Sequence, residues 1–243
     1  PFALSEDEVA AAPEGIKLLD LLPAKKFPGM KFSIAISPLD CMGCGVCVRV
    51  CPKEALSMVG QEEELAELAN FDYCVANVTE KDGVVANNLK GIQFKKPLLE
   101  FSGSCAGCAE TAYARLITQV AGERMFISNA TGCSSIWGNP AATCPYTTNA
   151  DGHGPAWNNS LFEDNAEHGL GMALGYKAVQ NKLVEQTAQL LQKEGVPEAV
   201  KETATAWLES LDDAAASKAA AAAYVAALEE CGCDDAKAIL ADK

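Results

Sequence analysis

Four cysteines in close succession restrict the possible fold and function of this chain more than any other feature of the sequence. They lie in the row DCMGCGVCVRVCP, as Cys41, Cys44, Cys47 and Cys51, and Pro52 follows directly. This C-x2-C-x2-C-x3-C-P spacing is typical of a [4Fe–4S] site, because thiolates on one tight loop can each reach a different iron. The sequence therefore predicts an iron–sulfur centre in this segment.

Zinc is the alternative occupant of such a segment. A zinc site more often has two separated C-x2-C pairs or histidines, and the chain has only two histidines. Gly43 and Gly45 favour the cluster, because they let the backbone wrap closely and direct N–H groups at the sulfurs. Such hydrogen bonds stabilise the reduced, more negative state of a cluster.

The fourth cysteine of the run bears on the architecture. In two-cluster ferredoxins the fourth cysteine of each run binds the other cluster. Cys51 would then point away from the centre that the first three cysteines share, and a sister motif would lie upstream of Pro1. The printed residues contain no sister motif. The alternative is a one-cluster ferredoxin fold in which Cys51 closes its own site.

Charge and composition narrow the possible partners and the compartment. The formal net charge is −14 at pH 7, which argues against nucleic acid and anionic membrane surfaces as partners. No apolar run approaches the roughly 18 residues of a membrane span, and no secretory signal is recognisable. The chain has eleven cysteines, and the clustered ones, without an export signal, indicate metal binding in a reducing compartment, so we expect a cytoplasmic protein. The first residue is Pro1, which predicts a processed start or an excerpt of a longer protein.

Hydrophobic periodicity predicts the elements of the first part of the chain. Residues 31–37 alternate as a strand does, and Pro52 is expected to open a short helical turn. Residues 61–69 predict an acidic, exposed helix. Residues 71–93 are mixed and polar, which predicts strands and loop.

The remaining chain has the composition of an α/β region followed by helices. Residues 110–120 predict a helix and residues 125–128 a short buried strand. Residues 161–193 predict a long helix, and residues 199–243 an Ala-rich helical segment with a break near Gly232. The predicted fold class is α/β plus a ferredoxin-like (α+β) iron–sulfur segment, with a helix-rich C-terminal third.

A second group of cysteines lies in this α/β region. Cys105 and Cys108 precede the predicted helix, and Cys133 lies in the small-residue turn after the predicted strand. A strand, a small-residue turn and a helix start form the pattern that brings backbone close to a ligand. From the residues alone, the pair Cys105 and Cys108 is equally compatible with a redox pair, buried structural thiols or a metal site.

Three rows carry a resemblance to a known family. They read LLEFSGSCAGCAETAYARLITQV, then RMFISNATGCSSIWGNP, and later GPAWNNSLFEDNAEHGLGM. Residues 1–177 resemble pyruvate:ferredoxin oxidoreductases of the single-chain type, which include flavodoxin-reducing enzymes of nitrogen fixation. The departures are Ala109, Ala112 and His168, which replace the family's usual Gly, Pro and aromatic residue, and none of them is a cysteine.

The resemblance implies an activity and its cofactors. The family converts pyruvate to acetyl-CoA and CO2 on thiamine diphosphate with Mg²⁺, and coenzyme A accepts the acetyl group. Electrons pass through three [4Fe–4S] clusters to ferredoxin or flavodoxin, and the full-length enzyme is expected to be a homodimer. The Gly-Asp-Gly motif that holds diphosphate and Mg²⁺ is absent, so we expect it C-terminal to this chain.

The resemblance also assigns residues and domains. It implies that Cys105, Cys108 and Cys133 bind the cluster nearest thiamine, and that Glu110 and the Cys133 loop approach the thiamine itself. Residues 1–96 would be the second half of a two-cluster ferredoxin-like domain with a linker. Residues 97–243 would be the N-terminal part of a thiamine-binding α/β domain, helical over 160–243.

One alternative function and four other cysteines complete the predictions. The alternative is a stand-alone ferredoxin-like electron carrier without catalysis.

The four cysteines outside these predicted ligand sets are expected to be unligated, since buried free cysteine behaves as a small hydrophobe. Among them, Cys231 and Cys233 have a spacing too tight for the usual metal or redox pair, and no function is expected of them. The four are Cys74, Cys144, Cys231 and Cys233.

Overall fold

A computed structural model describes residues 1–86, 88–138, 143–162 and 164–242 of the chain. The chain forms two compact units, Pro1–Asn165 and Ala166–Lys243. Residues 96 and 97 both lie within the first unit, so the proposed division into domains at this position stays a prediction. No helix among the described residues is long and apolar enough to cross a membrane.

The first unit begins with a small antiparallel sheet of three strands. Its order is β1 (Phe2–Leu4), β3 (Lys31–Ser33) and β2 (Leu19–Asp20), with the short helix α1 (Glu6–Ala10) after the first strand. The strand predicted over residues 31–37 is therefore present but ends at residue 33. The sheet contributes to a small apolar cluster, whose fully enclosed members are Ala3, Leu21 and Val84, with Phe27, Met30, Phe32 and Phe94 packed against them.

The segment after the sheet departs from the sequence prediction. A short helix, α2 (Val46–Val50), lies before Pro52, and the helical turn predicted after Pro52 is absent. A 3-10 turn (Gln61–Glu64) is followed by α3 (Glu67–Asn77). The prediction of strands and loop was therefore wrong for residues 71–77. The helix is recognisable from its burial, since Asn70 and Cys74, four residues apart, both lie inside.

The second part of the first unit has the predicted helix and strand, but the prediction that the strand is buried was wrong, since Phe126 is 62% exposed and its other residues are half-buried. Helix α4 (Ala109–Ala121) leads through a short turn to β4 (Phe126–Asn129), then α5 (Cys133–Gly138) and β5 (Ala156–Asn159). The two strands are parallel, with Ile127 opposite Trp157. This α/β arrangement agrees with the coarse fold class that the sequence predicts.

Buried polar groups fasten the preceding linker to α4. The side-chain amide of Gln119 donates to the carbonyl of Lys95 at 2.7 Å, and the backbone N–H of Leu98 donates to the Thr118 hydroxyl at 3.1 Å. Gln119 and Thr118 are both almost fully buried. Because buried polar groups without partners are costly, these bonds fix where the chain enters the α/β region.

The second unit is helical, as predicted. It comprises α6 (Asn165–Leu191), α7 (Glu198–Glu209), α8 (Ala214–Cys231) and α9 (Asp234–Ala241), where the first residue of α6 belongs to the other unit. The carboxylate of Asp213 caps α8 by accepting two backbone N–H groups at 2.9 Å. The enclosed apolar core consists of Leu190, Val200, Ala204, Tyr224, Leu228, Ala236 and Ile239.

Candidate iron–sulfur sites

The first cysteine loop is open to solvent. Cys41 and Cys44 lie between β3 and α2, Cys47 lies in the first turn of α2, and all three are exposed. Gly43 and Gly45 have φ of 63° and 69°, in the left-handed region that glycine tolerates best. A Cβ added to either glycine would have no atom within 4 Å, so a bound cluster could approach the backbone here.

Cys51 ends α2 in a different environment. Its sulfur accepts the backbone N–H of Ala55 at 3.5 Å, and Glu54 in between has a φ of 49° that turns the chain around the sulfur. Backbone N–H groups, that of Ala55 above all and then that of Lys53, lower the pKa of the Cys51 thiol, although burial opposes them. The chain therefore favours a thiolate at Cys51, the form that binds iron.

The second cysteine loop is held at the N-terminus of α4. Cys108 directly precedes this helix, and its backbone N–H donates to the carbonyl of Cys105 at 3.0 Å. Three hydroxyl groups fasten the loop to the helix, because Ser102 lies 2.8 Å from Thr111 and 3.0 Å from Ser104. The loop is thus positioned by hydrogen bonds, while Cys105 stays exposed.

Cys133 lies beyond the carboxyl end of β4, as the first residue of α5. The side-chain amide of Asn129 donates to the Ser135 hydroxyl at 2.9 Å and to the Asn159 side-chain oxygen at 2.7 Å. Ser134 donates to Asn129 at 2.6 Å. These bonds join both strands to the turn that carries Cys133, and ligands commonly bind outside the carboxyl ends of parallel strands.

Glu110 and Trp137 connect the second loop with the Cys133 turn. The indole N–H of Trp137, in α5, donates to the exposed carboxylate of Glu110 at 3.4 Å. The Cβ of Trp137 would lie 3.4 Å from a Cβ added to Gly103. Trp137 is 6% exposed. It therefore acts as a spacer between the segment of Cys105 and the helix of Cys133.

The structure reveals one contact that sequence reasoning missed. Gly107, between Cys105 and Cys108, packs directly on the first cysteine loop. A Cβ added to Gly107 would lie 3.6 Å from the Cβ and 4.0 Å from the sulfur of Cys44, and 3.5 Å from Val46. The two cysteine motifs, about sixty residues apart in sequence, are therefore neighbours. The only sequence signal for this contact is the glycine itself.

The described residues contain no ready-made site for a single metal ion. No three His, Cys, Asp or Glu side chains in the described ranges are grouped to hold a single metal ion. A cubane requires a different arrangement, since each thiolate binds its own iron and the sulfurs surround the cluster. The open glycine loop and the N–H groups at Cys51 fit that requirement. Convergence of each cysteine set on one centre stays a prediction.

A separate cavity of about 340 Å³ lies elsewhere in the first unit. Phe71, Cys74, Phe101 and Arg115 are among its lining residues, and none of its described lining residues is a predicted cluster ligand or Glu110. Burial raises the pKa of the Cys74 thiol and lowers the pKa of Arg115. Burial of this kind lowers the reactivity of a thiol, and that Cys74 is unligated stays a prediction.

Comparison with a known protein family agrees with the position of the first loop. Residues 34–57 match the model of the 4Fe-4S binding domain. The match contains all four cysteines of the first run. The match therefore supports a [4Fe–4S] cluster in this segment.

Comparison with individual proteins covers most of the chain. It is 48% identical over 221 residues to a pyruvate:ferredoxin oxidoreductase of Moorella thermoacetica, covering 90% of this chain and 19% of that protein. It is 51% identical over 187 residues to a pyruvate-flavodoxin oxidoreductase of Klebsiella pneumoniae, covering 76% and 16%. A pyruvate dehydrogenase (NADP+) of Cryptosporidium parvum is 47% identical over 186 residues, covering 76% and 10%. The chain thus spans about a fifth or less of these relatives.

Proposed function

The chain is homologous to a segment of the pyruvate:ferredoxin and pyruvate-flavodoxin oxidoreductases, and we propose from this premise that it forms part of such an enzyme. It would carry electrons from the oxidative decarboxylation of pyruvate, which yields acetyl-CoA and CO2, to ferredoxin or flavodoxin. The observation that carries the proposal is the contact of Gly107 with Cys44, which brings two cysteine motifs together inside one compact unit.

The ligand sets follow the two loops. In the proposal Cys41, Cys44 and Cys47 hold one [4Fe–4S] cluster, while Cys51 binds a second cluster of the same ferredoxin-like domain. A further cluster has three ligands from this chain, namely Cys105, Cys108 and Cys133. Glu110 lies beside the last set, where it would approach thiamine diphosphate, whose Mg²⁺-binding residues lie outside this chain.

In this proposal the cofactors and the protein chain make different contributions to the reaction. The clusters supply one-electron acceptors of low potential, and thiamine diphosphate supplies the carbon chemistry of decarboxylation. The chain places two loops in contact at Gly107, so that electrons have a short path between the sites. It also directs backbone N–H groups at the Cys51 thiolate, which offsets negative charge that would otherwise accumulate near iron.

The names of the relatives indicate which step of the reaction this segment would serve. They share pyruvate, whereas the electron carrier in the name is ferredoxin, flavodoxin or NADP+. A segment common to all three serves the common step, and the choice of carrier would depend on other residues. This sharing favours a part of a pyruvate oxidoreductase over a stand-alone carrier. Coenzyme A as acetyl acceptor and a homodimer of the full-length enzyme belong to the same proposal.

Serine substitutions in the full-length enzyme test the ligand assignment. We expect Cys44→Ser and Cys133→Ser each to lose the signal of one cluster in EPR and about four irons per chain, because each cubane holds four. Cys144→Ser is the matched control, since Cys144 is an exposed thiol of the same unit outside both ligand sets. Full iron content and three intact cluster signals in Cys133→Ser would show that Cys133 is not a ligand.

A second experiment tests whether this chain is only a part of the active enzyme. The isolated chain, loaded with iron and sulfide and supplied with thiamine diphosphate, Mg²⁺ and coenzyme A, is mixed with pyruvate and an oxidised viologen. We expect no reduction of the dye, because the proposal places the Mg²⁺–diphosphate motif and the pyruvate contacts outside these residues. Measurable turnover by the chain alone would contradict the proposal.

A further inference from the structure

Two cysteines of the second unit, which are not among the predicted cluster ligands, form a close pair. Cys231 is the last residue of α8, and Cys233 directly precedes α9. Their sulfurs lie 3.0 Å apart, with the Cys231 thiol donating to the Cys233 sulfur. Both side chains are half-buried against the core of the unit. Their spacing in the sequence alone predicts no function for these thiols.

The turn between the two helices creates this proximity. Gly232 ends α8 in the left-handed conformation, with φ of 57° and ψ of 10°, and its N–H donates to the carbonyl of Leu228 at 3.1 Å. Glycine adopts this conformation without the penalty that a Cβ brings. Leu228 and Ile239 then pack the two helices together in the core. The sulfurs are therefore held face to face by the fold, and only a small approach separates them from bonding distance.

The two thiols have unequal surroundings. Donation from Cys231 and a backbone hydrogen bond from Ala236, in the first turn of α9, lower the pKa of Cys233. The hydrogen bond to Cys233 raises the pKa of Cys231. Cys233 is therefore deprotonated more readily than Cys231, which keeps its proton to higher pH. Thiol–disulfide exchange uses such a pair, because one thiolate attacks first and the other thiol then resolves the mixed disulfide.

We propose that Cys231 and Cys233 form a redox-active dithiol that exchanges with small disulfides. The Cys233 thiolate attacks one sulfur of a disulfide RSSR, whose S–S bond breaks, and RS⁻ leaves and takes up a proton. Cys231 then loses its proton to solvent, attacks the Cys233 sulfur of the mixed disulfide and expels the second RS⁻. The dithiol is oxidised by two electrons to an intramolecular disulfide, and RSSR is reduced to two RSH.

The charges around the pair indicate which disulfides react fastest. Acidic side chains flank it on both helices. Lys193 contacts both carboxylate oxygens of Asp235 at 2.7 Å, and Lys237 lies 3.6 Å from the Asp234 carboxylate, so the four acidic groups outnumber the two lysines. A negative surrounding repels an anionic disulfide and attracts a cationic one. Cystamine, which is cationic, should therefore react faster than the anionic glutathione disulfide. The flanking acidic residues are Glu229, Glu230, Asp234 and Asp235.

Peptide mapping tests the proposal in the whole chain. The reduced chain is treated anaerobically with less than one equivalent of cystamine, quenched in acid, alkylated and cleaved with trypsin. The peptide of residues 219–237 contains Cys231 and Cys233 and no other cysteine. We expect this peptide to escape alkylation and to be lighter than the unalkylated dithiol peptide by two hydrogens, before the exposed Cys144 forms a mixed disulfide. A doubly alkylated peptide, or a product with a cysteamine on each sulfur, would overturn the proposal.

Single serine variants separate the two roles. Cys231→Ser should accumulate a stable mixed disulfide on Cys233, whereas Cys233→Ser should react at least about tenfold more slowly, because the favoured thiolate is lost. Helical circular dichroism confirms that both variants are folded. Equal rates in the two variants would contradict the assigned order of attack. The mass of the unmodified chain's peptide tests the dithiol itself without any substitution.

Discussion

The cysteine segment of residues 39–60 and the helical second unit differ in how many apolar side chains they bury. None of residues 39–60 is buried, and apolar side chains such as Val50, which is 70% exposed, face solvent. Among the described residues of the second unit, seven form an enclosed core across four helices. The first segment therefore gains little from the hydrophobic effect, which is the main force that folds the second.

This difference shows where metal binding and folding are coupled. A segment without a core cannot offset the conformational entropy of its ordered backbone by apolar burial. Ligand bonds can replace that contribution, since binding to a site that is absent in the unfolded state adds its free energy to folding. We therefore expect the iron–sulfur segment to depend on its cluster and the helical unit to be independent of it.

The largest expected effect is that of iron on amide hydrogen exchange. Loading the chain with iron and sulfide should slow exchange at residues 41–51 by about 100-fold or more, because local opening must then break ligand bonds. Exchange in α8 should be unchanged. Mass spectrometry of peptides from both regions, with and without iron, measures the two at once. Equal protection of residues 41–51 with and without iron would contradict the expected dependence of this segment on its cluster.

Next in size is the effect of truncating a core side chain in the helical unit. Leu228 is 1% exposed, and Leu228→Ala should lower the free energy of unfolding by about 2–5 kcal/mol through lost burial and a cavity. Val50→Ala in the iron-free chain should cost less than about 0.5 kcal/mol, because Val50 is already exposed. Denaturant titration followed by circular dichroism measures both. A similar cost at Val50 would mean that the cysteine segment has a hidden apolar contact.

A smaller effect is expected from an ion pair that anchors α1. Glu8 contacts Lys81 at 2.6 Å, and each side chain is only 14% exposed. Burial raises the pKa of Glu8, but hydrogen bonds from Lys81, Thr79 and Ser5 outweigh it and lower the pKa to about 2. Because the folded pKa lies below the ordinary 4.5, this stabilisation is complete above about pH 4.5 and is lost as the pH falls toward 2.

Glu8→Gln tests that pH dependence. At pH 7 it should lower the free energy of unfolding of the first unit by about 1–3 kcal/mol, and near pH 2 the difference from the unmodified chain should shrink. The matched control is Asp20→Asn, since the Asp20–Lys31 pair lies at the surface and should contribute less than about 1 kcal/mol. Urea titrations at pH 7, 4 and 2.5 compare the variants. A constant difference at all three would exclude Glu8 ionisation as the cause.

The smallest expected effect concerns the contact between the two cysteine loops. Gly107 and Gly83 have φ of 79° and 78°, so alanine at either position carries a similar strain of about 1 kcal/mol. Only at Gly107 would the new Cβ meet Cys44, since a Cβ at Gly83 has no atom within 4 Å. Gly107→Ala should therefore change the magnetic interaction between clusters in EPR spectra of the reduced full-length enzyme, and Gly83→Ala should not. Identical spectra of Gly107→Ala and the unmodified enzyme would contradict the proposed electron path between the two cysteine loops.

Local patterns in the sequence determined the regular elements. The apolar spacing of residues 110–120 predicted α4, the short apolar run predicted β4, and Gly232 marked the break between α8 and α9. These predictions succeed because helix and strand periodicity is a property of neighbouring residues. The same reasoning failed for residues 71–77, where polar surface residues obscure a helix recognised only by its two enclosed side chains.

The spacing of Cys41 to Cys51 also identified an iron–sulfur segment, because the thiolates of such a site come from one short loop whose chemistry is local. Three contacts depended on tertiary structure instead: Gly107 on Cys44, Trp137 on Glu110, and the Cys231 sulfur on that of Cys233. The first two join segments distant in sequence. The third depends on a helix turn held by the packing of α8 and α9. Such distances are set by how enclosed side chains fill space, which no local pattern of residues specifies.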